Sequence, residues 1–269
     1  MSKFHFEGSS VLITGASAGI GREFARQLAG HAGSFVLVAR RRARLDELRD
    51  ELTQLDPNLN VHIRITDLSD DRAVIDLCGW LEHEKIAVDL LINNAGLGDL
   101  GLFATSDLQR VREMMAVNVV ALTVLTRLLL PGMIARKRGA ILNVSSSAGF
   151  LPIAGFAVYA ATKAYVTSFS EAIRAELHGT GVTVTSLCPG PVHTEFTDVA
   201  HRSSAAAPEK SSPEFTHVSV EEVVRTALDA VERDKALVIP GFLMNLGMLL
   251  VSLTPMPLLR LVSRFSAKK

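Results

Sequence analysis

A glycine-rich turn near the start of the chain lies between an apolar strand and an amphipathic helix, and this order constrains the fold most. The apolar run Val11–Ile13 is followed by TGASAGIG at 14–21, after which Ile20, Phe24 and Leu28 recur with helical spacing. Such an order directs backbone N–H groups and a helix N-terminus at a phosphate. The sequence therefore predicts a nucleotide-binding strand–turn–helix unit.

Each glycine of this turn meets a separate geometric need. Gly15 permits the tight turn, Gly19 lets a pyrophosphate approach the backbone, and Gly21 lets the helix pack on the strand. The spacing G-x-x-x-G-x-G differs from the G-x-G-x-x-G of the common dinucleotide fingerprint. We expect a dinucleotide to bind here; the alternative is an ordinary glycine-rich loop.

The end of the second apolar run, SFVLVA at 34–39, indicates which dinucleotide binds. An acidic residue at this place bonds the ribose 2′-hydroxyl, whereas an arginine accommodates a 2′-phosphate. Arg40 and Arg41 follow the run, and no acidic residue occurs before Asp46. The sequence therefore favours NADP(H) over NAD(H), with both arginines facing the cofactor. The alternative is that the arginines only begin a solvated helix.

Short apolar runs alternate with helical patterns along all 269 residues, a length that fits one large domain. The alternation predicts a parallel sheet with helices on both faces, that is, a single-domain doubly wound α/β fold of about seven strands. Strands are predicted at 10–14, 34–39, 60–65, 88–93, 139–145, 181–187 and 236–239. Helices are predicted at 19–30, 41–54, 70–84, 107–136, 157–178 and 219–232.

A tyrosine and a lysine four residues apart end the segment NVSSSAGFLPIAGFAVYAATK at 143–163. If this part is helical, Tyr159 and Lys163 share one face, with Cβ atoms about 5–6 Å apart. The neighbouring ammonium should favour phenolate and lower the tyrosine pKa from about 10 toward neutrality. The pair then predicts a general acid/base, and the alternative is two ordinary surface neighbours.

Charge and cysteine content exclude several classes of protein. Lys plus Arg and Asp plus Glu number 28 each, so no global field attracts nucleic acid. Cys78 and Cys188 have no metal-binding spacing and form no disulfide framework, and the scattered histidines predict no metal site. No apolar signal segment precedes the first strand. We therefore expect a cytoplasmic, reducing location.

Seven segments in order make the chain resemble the short-chain dehydrogenase/reductase family from about Ser9 to Gly241. The matching segments are TGASAGIG (14–21), Asp67-Leu68, NNAG (93–96), the asparagine of MAVNV (118), NVSS (143–146), YAATK (159–163) and PGPVHT (189–194). The resemblance implies a Rossmann-type sheet and hydride transfer between a nicotinamide and a carbonyl/alcohol pair.

The resemblance also assigns four catalytic residues. It implies that Tyr159 exchanges a proton with the substrate oxygen and that Lys163 holds the nicotinamide ribose hydroxyls. Ser146 lies thirteen residues before Tyr159 and would hydrogen-bond the substrate oxygen, a choice among three adjacent serines that rests on spacing alone. Asn118 would lie at a bend in its helix and connect Lys163 to a chain of waters.

A cofactor-binding set is implied in the same way. Asp67 and Leu68 would touch the adenine, the segment 93–96 would line the adenosine side, and the segment 189–194 would border the nicotinamide. The complete set is Gly15, Ser17, Ala18, Gly19, Ile20, Gly21, Arg40, Arg41, Asp67, Leu68, Asn94, Ala95, Gly96, Tyr159, Lys163, Pro189, Gly190, Val192 and Thr194.

The last third of the chain contains two regions outside the regular alternation. The Ala-, Ser- and Pro-rich stretch at 198–217 predicts a mobile loop, part of a substrate loop at about 191–217. After the catalytic domain at 1–241, residues 242–269 form an apolar extension, which prolines make too short to cross a membrane. A helix pair there would be a lid, an oligomer contact or a membrane-surface contact.

Apolar residues at 97–103 and 149–156 predict a small hydrophobic carbonyl or alcohol substrate. The leading interpretation is an NADP(H)-dependent oxidoreductase. The resemblance implies a homodimer or homotetramer formed through the helices at 107–136 and 157–178. Two other classes stay open, namely an NADP(H)-binding sensor without turnover and a membrane-surface scaffold.

Overall fold

The computed structural model describes residues 4–200, 217–255 and 257–260. Seven parallel strands form one sheet in the order β3-β2-β1-β4-β5-β6-β7, which confirms the predicted doubly wound fold. All seven strands lie within two residues of their predicted bounds. They are β1 Ser10–Thr14, β2 Ser34–Ala39, β3 Asn60–Ile65, β4 Leu90–Asn93, β5 Gly139–Val144, β6 Val182–Leu187 and β7 Leu237–Val238.

Helices cover both faces of this sheet, and the described residues contain nine α-helices. Three of them begin at a capping side chain, since Asp70, Asp107 and Ser219 accept backbone N–H groups of the first turn. The helices are α1 Gly19–Leu28, α2 Arg42–Leu55, α3 Asp71–His83, α4 Leu108–Met115, α5 Leu122–Arg136, α6 Ala157–Glu176, α7 Glu195–Ala200, α8 Val220–Glu232 and α9 Phe242–Leu253.

The two faces of the sheet carry separate hydrophobic cores, because successive side chains of a strand point to opposite sides. In β1, Val11 and Ile13 pack on the side of α1, α2 and α8, with Phe24 in the same cluster. Leu12 packs on the opposite side, where Leu125 of α5 and residues of α3 and α6 lie. Burial on both sides explains why β1, β2 and β4 are mostly apolar.

Three segments differ from the sequence prediction. The helix predicted at 107–136 is interrupted by a π-helical segment at Ala116–Ala121 between α4 and α5. The loop predicted at 191–217 contains α7, and its residues 201–216 lie outside the described residues. Of the predicted pair of helices after 241, α9 and a helical turn at 257–260 are described.

One helical stretch among the described residues, Leu108–Arg136, is long and apolar enough to cross a membrane. Its residues Leu122, Leu125 and Met133 are buried, and the last two lie in a core cluster of the sheet. One face of this stretch therefore packs on the sheet, while Val120, Leu128 and Ile134 of the same stretch are exposed. Strand order reverses between β1 and β4, and this reversal opens a crevice at the carboxyl ends of the strands.

Candidate active site

The glycine turn after β1 has the shape that a pyrophosphate needs. Gly15 and Gly19 have φ values of +68° and +51°, a region that L side chains rarely adopt. A Cβ on Gly21 would collide with the carbonyl oxygen of Gly15, and one on Gly15 would lie 2.9 Å from the Cα of Ala95. Ala18 is the N-cap residue of α1, and the first turn of this helix contains no acidic residue. The backbone N–H groups of that turn can therefore bind an anion.

Hydrogen bonds fix this turn to the loop after β4. The Thr14 hydroxyl oxygen accepts the backbone N–H groups of Asn94 and Ala95, each at 3.0 Å. The Asn94 side chain donates to the carbonyl oxygen of Thr14 at 2.9 Å. Gly96 follows, and a Cβ there would lie 3.4 Å from the Lys163 Nζ. The predicted adenosine side and the predicted catalytic lysine therefore meet at one strand edge.

Basic side chains surround the end of β2. Arg41 Nη2 donates to the Ser17 hydroxyl in the glycine turn at 3.2 Å. Two hydrogen bonds from Ser69 lower the pKa of Asp67, and the one from its backbone N–H has the larger effect. The charge of exposed Arg40 lowers this pKa further. Leu68 is buried. Arginines and a hydroxyl at this place are suitable donors for a 2′-phosphate.

Tyr159 and Lys163 lie on one face of α6, as their spacing predicts. Their relative exposures are 7% and 4%, so neither is a surface residue. Lys163 Nζ lies 5.7 Å from the centroid of the Tyr159 ring and donates to the carbonyl oxygen of Val144 at 2.8 Å. The pair therefore faces the carboxyl end of β5.

The prediction of a lowered tyrosine pKa is wrong for the protein by itself. Burial raises the pKa of Tyr159 to about 12, and a hydrogen bond with Ser146 opposes this effect only in part. Burial likewise lowers the pKa of Lys163 to about 8. Removal from water disfavours both charged forms more than the two groups favour each other. Tyr159 is therefore protonated at neutral pH in the protein by itself.

The structure distinguishes the three serines after β5. The Ser145 hydroxyl donates to the carbonyl oxygen of Lys163 at 2.7 Å, which joins β5 to α6. Ser146 lowers the pKa of Tyr159 from its side, and the Ser146 hydroxyl oxygen accepts the N–H of Ala148 at 3.1 Å. Ser147 belongs to the 3₁₀ turn Ser147–Phe150 and donates its N–H to the carbonyl oxygen of Pro189 at 2.9 Å. Ser146 is thus the serine beside the tyrosine.

Asn118 is buried within the π-helical segment, at the expected irregularity of its helix. Its Oδ1 accepts the N–H of Leu97 at 2.8 Å, and its Nδ2 donates to the Thr162 hydroxyl at 3.0 Å. These bonds join the loop after β4 to α6. A connection to Lys163 through water stays a prediction.

The loop after β6 approaches the glycine turn from the other side. Thr194 Cγ2 would lie 3.2 Å from a Cβ on Gly19, and half-buried Val192 and Ile20 pack against the same core. Pro189 and Gly190 follow β6, and a Cβ on Gly190 would lie 2.7 Å from Met244 Cε of α9. The extension after 241 therefore contacts the loop predicted to border the nicotinamide.

Of three further side chains around this site, sequence reasoning included Phe156 in an apolar pocket segment and missed Glu195 and Phe196. Phe156 stacks on Tyr159 at 4.2 Å between ring centroids, and Phe196 of α7 tilts against the same ring at 5.4 Å. Glu195 pairs with Arg41 and Arg44. The only sequence signal for α7 was its position directly after PGPVHT.

Comparisons with known proteins show the family of this chain. The family model described as short chain dehydrogenase matches residues 9–204. The "NADP-dependent 3-hydroxy acid dehydrogenase YdfG" of Escherichia coli K12 is 37% identical over 216 residues, covering 79% of this chain and 85% of that protein.

Two solved structures are similar over most of the chain. The short-chain dehydrogenase from Sphingobium yanoikuyae in complex with NADPH has a TM-score of 0.76 and 32% identity, covering 87% of this chain and 88% of that one. The bulky-bulky ketone specific alcohol dehydrogenase from Comamonas testosteroni has a TM-score of 0.74 and 28% identity, covering 92% and 95%. By sequence and by fold, this chain belongs to the short-chain dehydrogenase family.

Proposed function

We propose that this protein is an NADP(H)-dependent oxidoreductase that interconverts a carbonyl and an alcohol, with Tyr159 as acid/base. One observation carries the proposal: the buried Tyr159 side chain lies beside Ser146 and Lys163, at the strand edge that the glycine turn borders. A sensor without turnover has no need for a buried phenol and a buried amine in contact with that edge.

The protein's own groups would act on the substrate oxygen. Ser146 and Tyr159 would hydrogen-bond this oxygen, and in the reductive direction Tyr159 would transfer its proton to it. The nicotinamide, when bound, supplies the hydride to the carbon. Lys163 would stabilise the phenolate left on Tyr159. Removal of a donor such as Ser146 typically costs about 10²–10³ in rate.

The preference for NADP(H) rests on the end of β2. Arg40 and Arg41 stand where an acidic residue would otherwise bond a ribose 2′-hydroxyl, and Arg41 already donates to Ser17. The relatives support the same choice, since one is named NADP-dependent and another was solved with NADPH.

The side chains around Tyr159 support a hydrophobic substrate. The cluster is apolar and contains Met114, Ala148, Leu97, Ile153, Phe156, Val158 and Phe196. A relative specific for bulky-bulky ketones fits such a pocket. A 3-hydroxy acid is a second candidate, because another relative is named for that class.

The exposed apolar surfaces support two proposals about partners. Val120, Leu128, Ile134 and Tyr165 are exposed on the predicted oligomer helices, which fits a homodimer or homotetramer. For α9 we favour a lid, because Met244 covers Gly190 beside the pocket. Membrane-surface contact is the second candidate, since the sequence after Asp234 contains basic but no acidic residues.

Truncation after Gly241 separates these roles of the extension. NADPH binding should survive in an enzyme whose extension is a lid, while KM for bulky ketones rises. Co-sedimentation with anionic phospholipid vesicles, present in the full chain and lost on truncation, would instead support membrane contact.

The two free cysteines, Cys78 and Cys188, fit the expected cytoplasmic location.

The decisive experiment combines a substrate panel with one matched pair of variants. NADPH oxidation is measured with hydrophobic ketones and aldehydes, quinones and 3-oxo acids, with NADH in parallel. Tyr159→Phe should abolish turnover while NADPH still binds, and exposed Tyr165→Phe should retain both. Substantial residual turnover in Tyr159→Phe would refute the assignment. Nucleotide binding with no turnover on any carbonyl would favour the sensor.

A further inference from the structure

The first residue of α7 forms an ionic bridge to the beginning of α2. Glu195 Oε2 accepts from Arg41 Nη1 at 2.9 Å, and Glu195 Oε1 accepts from Arg44 Nη1. Both hydrogen bonds lower the pKa of the Glu195 carboxyl, and the bond from Arg44 has the larger effect. Glu195 is therefore an anion at neutral pH, held by two cations at the predicted adenosine end of the site.

Arg41 serves two neighbours with one guanidinium. Its Nε and Nη2 donate to the Ser17 hydroxyl in the glycine turn at 3.4 and 3.2 Å, while Nη1 faces Glu195. A 2′-phosphate at the end of β2 needs the same guanidinium. The Glu195 carboxylate and that phosphate are therefore competing anions, and close approach of the two is repulsive.

The rest of α7 lies at the reacting end of the site. Phe196, next to Glu195, contacts the Tyr159 ring at 5.4 Å between centroids. The carbonyl oxygens of Val199 and Ala200 accept hydrogen bonds from Arg110 Nη2 at 3.2 Å and from Leu100 N at 2.8 Å. A helix of six residues thus extends from the adenosine end of the site to the catalytic tyrosine.

We propose that Glu195 is a latch that couples the 2′-phosphate subsite to the helix covering the substrate pocket, an inference that rests on the proposed preference for NADP(H). A bound 2′-phosphate replaces Glu195 as the anion that Arg41 contacts, and Arg44 still holds the Glu195 carboxylate. Glu195 therefore weakens binding of 2′-phosphorylated nucleotides selectively, and their binding loosens α7 from the glycine turn. Glu195 is a positioning and specificity residue, and it touches no reacting atom.

Two nucleotides that lack nicotinamide test the competition directly. The Kd values of adenosine 2′,5′-bisphosphate and adenosine 5′-monophosphate are measured by calorimetry on the full-length protein. In Glu195→Gln the bisphosphate should bind about two- to fivefold more tightly, the range expected for one exposed ion pair, with monophosphate binding unchanged. The control Asp229→Asn breaks an exposed ion pair with Arg233 on α8 and should change neither Kd.

Amide hydrogen exchange of residues 195–200 tests the coupling. In the natural protein the bisphosphate should raise this exchange and the monophosphate should not. In Glu195→Gln the exchange should already be high and unaffected by either nucleotide. In Arg44→Gln the bisphosphate should raise it more, because Arg41 is then the one cationic partner of Glu195 among the described residues.

The outcomes separate the latch from the function on which it depends. If the natural protein binds both nucleotides equally, the NADP(H) preference fails and the latch with it. If the natural protein prefers the bisphosphate but Glu195→Gln leaves the Kd ratio unchanged, only the latch is overturned. Weaker bisphosphate binding in Glu195→Gln also overturns it, because Glu195 would then position Arg41 for the phosphate.

Discussion

Replacement of Lys163 by methionine should make the stability of the protein less dependent on pH. Burial lowers the pKa of Lys163 from the ordinary 10.5 to about 8. This difference corresponds to about 3 kcal/mol in favour of the neutral amine in the folded state. Because the unfolded chain binds the proton more tightly between pH 8 and 10.5, the unfolding free energy of the natural protein rises with pH through that window.

The Lys163→Met substitution removes this charge, but it also lowers the unfolding free energy by an amount that does not depend on pH. Lys163 Nζ donates to the carbonyl oxygen of Val144 at 2.8 Å, and loss of that donor costs about 1–3 kcal/mol. The absolute difference in stability at one pH is therefore not decisive. The change with pH is decisive: from pH 6 to pH 10 the natural protein should gain about 2.5 kcal/mol relative to Lys163→Met.

Urea unfolding at several pH values, with fixed protein concentration and ionic strength, measures this change. The raised pKa of Tyr159 contributes stability that is lost only as the pH rises from about 10 toward 12. Both proteins contain Tyr159, so this contribution drops out of their difference below pH 10. Lys235→Met, which removes an exposed ammonium, is the control and should follow the natural protein at every pH. A constant difference between Lys163→Met and the natural protein over this range would refute the burial argument.

Two further substitutions test the cofactor subsites. Gly21→Ala forces a Cβ against the Gly15 carbonyl oxygen, so NADPH titration should show about 10- to 100-fold weaker binding, whereas Gly79→Ala, with no atom within 4 Å of the new Cβ, should bind normally. Arg40→Asp should shift the ratio of kcat/KM for NADPH and NADH toward NADH by about tenfold or more, because it removes a charge-assisted donor and adds a repelling carboxylate. An unchanged ratio would count against Arg40 as a phosphate contact.

Local sequence predicts most of this fold, because the central strands are buried on both faces. Every residue of β5 is buried, so its apolar composition indicates a strand without any knowledge of its neighbours. The π-helical segment at 116–121 is not visible in the same way, since its apolar residues continue the helical pattern. Its cause is tertiary, because Asn118 bonds Leu97 and Thr162 on other elements.

Spacing also predicts which catalytic side chains meet, but not how water is excluded from them. A four-residue interval puts Tyr159 and Lys163 on one face of any helix. The direction of both pKa shifts depends on burial, and part of that burial comes from Phe156 and Phe196. Phe196 lies 37 residues after Tyr159, and no local pattern connects the two. Spacing therefore predicts that Tyr159 and Lys163 lie close together, but it gives the wrong direction for the pKa shift of Tyr159.

The α7 helix contributes to the pocket next to Tyr159 from outside the elements that carry the predicted catalytic residues. Phe196 and Ala200 pack so closely on Gly98 that a Cβ there would lie 2.8 and 2.9 Å from them. The wall facing Tyr159 is thus built partly from α7 and the loop after β4, whereas Tyr159 and Lys163 themselves lie on α6. Substitutions in these segments can change the pocket while the sheet edge, and with it the chemistry, stays fixed. We therefore expect substitutions at Gly98 or Phe196 to change the substrate range more than the type of reaction.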